Sequence, residues 1–191
     1  MLEKIASISV IVILICMLFL NPKVSIIKIL IKQLLVFKNA KNEKISVWDL
    51  VCFIFAPIVL AILLVFILGY DISNSVASVL TTVYAFVFTV LFGFAAVLVG
   101  KIDSKNELEK QVTEETFVSV LTSNILSLIN AIASIILLNI NEDSECVRNL
   151  VSAIIYCISF ITIMLLLMIT KRTYITVSYT HLRAHETDSY L

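Results

Sequence analysis

The chain has 191 residues, of which 60% are apolar and 15% charged, with a formal net charge of zero and a mean hydropathy of +1.06. Soluble domains are roughly 45–50% apolar. The composition excludes a disordered chain, a basic nucleic-acid-binding domain and a disulfide-stapled secreted domain. Five stretches carry no charged side chain: Ile5–Pro22, Leu50–Tyr70, Ile72–Gly100, Thr116–Asn141 and Asn149–Thr170. Four of them reach the ~20 residues that cross a hydrocarbon core of ~30 Å. The pattern is that of a polytopic membrane protein.

In chain order, the first apolar run is short, and Leu18-Phe-Leu-Asn-Pro22 lacks the small residues of a signal-peptide cleavage site. It is read as an uncleaved span over 1–22 that Asn21-Pro22 terminates, because Pro cannot continue the hydrogen-bond ladder. Six lysines lie between Lys23 and Lys44 against one acid, Glu43. Lys28 and Lys32 share a helical face with Ser25 and Asn39, while Ile26, Leu30, Leu34 and Phe37 fall opposite. Segment 23–46 therefore suits either an amphipathic helix in the interface, its lysines on anionic headgroups, or a basic connecting loop.

Leu50–Tyr70 is bounded by Trp48 and Tyr70 as interfacial anchors, and Pro57 within it should kink the helix or free a carbonyl. Asp71-Ile-Ser73 leaves room only for a tight turn, so the third span is expected to run back beside the second. Ser104-Lys-Asn-Glu107 is a capping-box pattern opening a helix from about Lys105 to Ile140, partly outside the lipid. An acidic turn, Asn141-Glu-Asp-Ser-Glu145, leads to a last span ending at Lys171-Arg172.

Basic residues orient the chain. With the N-terminus outside, cytoplasmic segments up to Arg172 hold eleven Lys and Arg against two outside, Lys4 and Arg148. The expected fold is all-α: a membrane bundle of five transmembrane helices with an amphipathic segment after the first. Residues 1–22 form the first span, 23–46 the basic cytoplasmic segment, and 47–176 two hairpins (about 48–70/72–100 and 117–140/148–170).

Residues 177–191 depart from the rest. Before them Arg occurs only at Arg148 and Arg172, whereas Val177-Ser-Tyr-Thr-His-Leu-Arg-Ala-His-Glu-Thr-Asp-Ser-Tyr-Leu191 holds a further Arg and both histidines. The stretch resembles a peptide translated from sequencing-adapter or linker DNA, which implies a non-native tail. The alternative is a His181-x3-His185 metal pair with Glu186 nearby, a motif of low specificity.

Catalytic chemistry is hard to place. Asp, Glu, Lys, Arg and His are missing from the span interiors, and Cys16, Cys52, Cys146 and Cys157 form no Cys-x2-Cys. No enzyme activity, cofactor or metal is expected. Two stripes stand out instead. Ser75, Ser78, Thr82, Ala85, Thr89, Gly93, Ala96 and Gly100 lie on one face of the third span, where small residues allow close helix approach. Ser119, Ser123, Ser127, Asn130 and Ser134, with Asn124 beside them, line the fourth span. An amide in mid-membrane needs a partner, so this face must look inward, with Ser152, Tyr156, Ser159 and Tyr84 as candidates. It is either an interhelical seam or a polar path.

Three functions fit this pattern. The first is a non-enzymatic subunit, scaffold or accessory component assembling through helices three and four, with itself or another membrane protein. The second is a pore-forming or membrane-perturbing effector of a bacterial toxin or phage-defence system, and the third a small-solute transporter component. The Lys-rich composition suggests an AT-rich bacterial genome, hence the cytoplasmic membrane with the C-terminus inside. The expected partners include membrane lipids, anionic headgroups among them at Lys23–Lys44, but no nucleic acid.

Overall fold

The computed structural model describes residues 25–38, 46–100, 102, 107–140 and 145–188, and every regular element among them is helical. These are α1 (Ile26–Val36), α2 (Val47–Ile67), α3 (Asn74–Val99), α4 (Glu107–Leu138) and α5 (Glu145–Asp188). Four of them, α2 to α5, are long and apolar enough to cross a membrane, which fits a multi-pass membrane protein. The expected first span, 1–22, lies outside the described residues, as do Lys23 and residues 39–45 of the basic segment.

Ser46 opens α2, its Oγ accepting the Asp49 N–H at 3.4 Å, and Asp49 suits the positive end of the helix. Pro57 has no N–H to give, and a π-type turn at Val51–Phe55 precedes it; the regular segment Ala56–Ile62 follows, and then a second π-type turn at Leu63–Ile67. Gly69 ends the helix with φ +68°, which lets the Tyr70 N–H return to the Leu64 carbonyl at 2.9 Å. Ser73 then caps α3 through the Val76 N–H.

The short turn does not lay α2 beside α3 as the sequence suggested. The most extensive contact of α3 is with α4, and α4 in turn packs on α5; α2 joins through α5. The physical reason is the centrality of α4. Half of its most apolar window is buried (50%), against 17–22% for the other three spans. A helix with a polar seam must be covered on several sides, so α3 and α5 close over it and α2 is displaced to the far flank of α5.

Two apolar clusters hold α3, α4 and α5 together. Ile72, Ala77, Leu137 and Ile155 meet near the α2–α3 turn, and Leu91, Ala95, Leu98, Val120 and Ile169 meet near the opposite end. The first is called the turn end below and the second, where α1 lies, the α1 end.

α1 forms where an amphipathic helix was expected, but its covered face differs. Gln33 and Phe37 are buried, whereas Leu34, assigned to the apolar face, is exposed together with Ile27, Ile31 and Leu35. The reason is tertiary: α1 packs along α4, and Phe37 meets Phe53 of α2 with ring centroids 5.0 Å apart. Lys28 and Lys32 stay exposed. At the other terminus α5 does not stop at Lys171-Arg172 but remains helical to Asp188, so most of the compositionally distinct stretch continues it. The side chains of His181, His185 and Glu186 lie outside the described residues.

Candidate functional site

The polar stripe of α4 is an internal seam. Ser119, Ser123, Ser127, Asn130 and Ser134 are all 0% exposed. A hydroxyl in an apolar interior is stable only if bonded, and a helix offers the carbonyl four residues earlier. Ser119 uses Glu115 O at 2.9 Å, Ser127 uses Ser123 O at 2.8 Å and Ser134 uses Asn130 O at 2.9 Å. Thr116 and Thr122 do likewise with Val112 and Val118. These side chains are therefore small spacers that let neighbours approach.

One contact crosses between helices at mid-seam. Asn130 Nδ2 donates to Ser159 Oγ at 2.9 Å, and Ser159 donates on to Ile155 O. Of the four candidate partners, Ser159 is the one that Asn130 reaches. Ser152 binds the Ile72 N–H at the α2–α3 turn, and Tyr84 is buried on α3. Three atoms along α4 have no hydrogen-bond partner among the described residues: Ser123 Oγ, Asn124 Oδ1 and Asn130 Oδ1. Apolar clusters that include Val120 and Leu137 lie towards the two ends of this polar stretch.

The small-residue stripe of α3 is positioned oppositely. Ser75, Ser78, Thr82, Ala85, Thr89, Gly93, Ala96 and Gly100 are all exposed. Packing inside the chain uses Ala77, Tyr84, Leu91, Ala95 and Leu98, on nearly the opposite side of the same helix. Thr82 and Thr89 turn their hydroxyls onto Ser78 O and Ala85 O, so the outward face presents mainly methyl groups and backbone. A Cβ added at Gly93 would meet nothing within 4 Å. The face is flat and low, and nothing among the described residues covers it.

Charged pairs, which the sequence reading did not bring together, fasten both ends. At the turn end Arg148 is 8% exposed; its Nε donates to Asp71 Oδ2 at 3.0 Å and its Nη2 to Ile72 O at 2.8 Å. At the α1 end Arg172 Nη2 lies 3.1 Å from Glu115 Oε2. A signal was present: the hydropathy pattern had already put Asp71 with Arg148 at one membrane face and Glu115 with Arg172 at the other. Opposite charges at the same depth of adjoining helices lie within reach of one another.

Among the described residues, no group of three or more His, Cys, Asp or Glu is arranged to hold a metal ion. A scan against protein-family models, a search of curated proteins and a search of solved structures each find no match.

Proposed function

We propose that the chain is a non-enzymatic component of a membrane assembly, associating with a second copy or another membrane protein through the outward face of α3. The carrying observation is that all eight small residues from Ser75 to Gly100 on one helix face are exposed among the described residues. Small faces are how helices associate in lipid, where no hydrophobic drive operates between them. The α4 face, which served the same reading, is consumed inside the chain, so of the two stripes it is the α3 face that is left for assembly. The test is single-molecule counting of labelled chains in native membrane vesicles. Wild type should give clusters of two or more, and Gly93→Leu mostly single chains; a wild-type protein that is monomeric at all densities would refute the reading.

A pore or membrane-perturbing effector is the second reading, favoured by the unpartnered Ser123 Oγ, Asn124 Oδ1 and Asn130 Oδ1. Water entering on a rearrangement of the bundle would satisfy them. Membrane potential after controlled expression separates the two. A pore lined by α4 depolarises cells, and Asn130→Leu relieves this at equal protein level; the assembly component leaves the potential unchanged in both versions.

The proposed setting is a bacterial cytoplasmic membrane with the N-terminus outside, supported by the eleven-to-two distribution of Lys and Arg. Lys28 and Lys32 then reach cytoplasmic anionic headgroups. Cys146, exposed in the first turn of α5, should react with an impermeant thiol reagent in intact cells. Labelling that requires lysis would reverse the orientation.

A further inference from the structure

We infer that the groove between α2 and α5 at the α1 end binds a zwitterionic phospholipid with a primary-amine headgroup. The groove has a volume of about 470 Å³. Phe53 of α2 and Met164, Leu167 and Met168 of α5 line its apolar part, with Phe37 of α1 closing one side. Methionine side chains are unbranched and adapt to irregular apolar shapes such as acyl chains. Leu167 is 61% exposed, so this wall already faces the lipid side of the helix.

The headgroup chemistry follows from the charges at the mouth: Asp49, Lys171 and Arg172. Arg172 is engaged by Glu115 at 3.1 Å. The mouth also holds one carboxylate and one ammonium: Asp49 lies within electrostatic reach of Arg172, but neither Asp49 nor Lys171 enters a salt bridge among the described residues. Each has an ordinary explanation alone, Asp49 as an acid in the first turn of α2 and Lys171 as an anchor at the end of a span. Their sharing one groove with a methionine-rich wall is what those explanations leave over. A phosphodiester on Lys171 and a primary ammonium on Asp49 match both charges. An anionic headgroup sets a negative charge against Asp49, and a quaternary ammonium has no N–H to give it.

Native mass spectrometry of the full chain in detergent, with phosphatidylethanolamine, phosphatidylcholine and phosphatidylglycerol added in turn, tests this. Wild type should retain phosphatidylethanolamine about tenfold better than either other lipid, equivalent to ~1.4 kcal/mol. Asp49→Asn should erase the preference over phosphatidylcholine, and Lys171→Gln, an exposed change, should lower retention without altering the fold. Met168→Trp should block the groove, whereas Ile163→Trp, an equal enlargement on a position outside it, should not. Lys28→Gln with Lys32→Gln should reduce only phosphatidylglycerol association. Preference for phosphatidylglycerol by wild type, unchanged selectivity in Asp49→Asn, or equal retention by the two Trp variants each overturns the assignment. So does a lipid-free dimer whose formation Met168→Trp abolishes, since a second chain would then be the occupant.

Discussion

Arg148→Leu is expected to lower stability by about 2–4 kcal/mol, the range for losing a buried charged hydrogen-bonding centre. The guanidinium makes two contacts more than seventy residues away in sequence, to Asp71 Oδ2 and to Ile72 O. Beside it, Ser152 Oγ takes the Ile72 N–H at 3.2 Å. Together they tie the α2–α3 turn to the first turns of α5. Leucine fills some of the space but leaves the Ile72 carbonyl without this donor. Asp71→Asn should cost less, about 1 kcal/mol, because Asp71 is 47% exposed in the pair and solvent screens it. Reversible unfolding in mixed micelles measures both, and the double variant should cost less than the sum, as expected for residues in contact. An Arg148→Leu protein within 0.5 kcal/mol of wild type, the spread typical of surface changes, would show that the clamp contributes nothing.

The second large effect is a contrast between two leucine substitutions at small residues. Ser127 is 0% exposed at the seam, so Ser127→Leu must push α4 away from its neighbours; overpacking of this kind costs about 1–3 kcal/mol. It also opens the approach that lets Asn130 reach Ser159. Folded yield and protease resistance in membranes should fall sharply. Gly93→Leu starts its side chain on an exposed face, from a Cβ that meets nothing within 4 Å among the described residues, so folded yield should match wild type while association is lost. If Gly93→Leu instead reduced folding as much as Ser127→Leu, the α3 face would be covered within the chain, and the assembly proposal would fall with it.

The spans were legible because a bilayer imposes a length and a polarity on any helix that crosses it. Charge-free runs of sufficient length therefore locate the apolar parts of α2 to α5 and fix the ends of α2 and α3 closely, whereas α4 starts earlier, at Glu107, and α5 runs on to Asp188. The two stripes were legible as stripes, since helical spacing puts Ser119, Ser123, Ser127, Asn130 and Ser134 on one side whatever surrounds them. The inward direction of that face was legible as well, because an amide at mid-span needs a partner. Asp71 and Arg148 were readable as neighbours in depth, though not as a bonded pair.

Which face meets which neighbour was decided only by the packing. Helical periodicity names a face but carries no azimuth, so the small residues of α3 could equally line the core or leave it. The polar seam resolved that choice. By drawing α3 and α5 over α4, it assigned the inner side of α3 to Ala77, Tyr84, Leu91, Ala95 and Leu98. It also separated α2 from α3 despite the short turn, and with α2 placed against α5 it brought Asp49 and Lys171 to one groove. The burial of Gln33 in place of Leu34 has the same origin. A local amphipathic pattern describes a helix at a featureless interface, whereas α1 lies against the side of α4, and that contact selects the face.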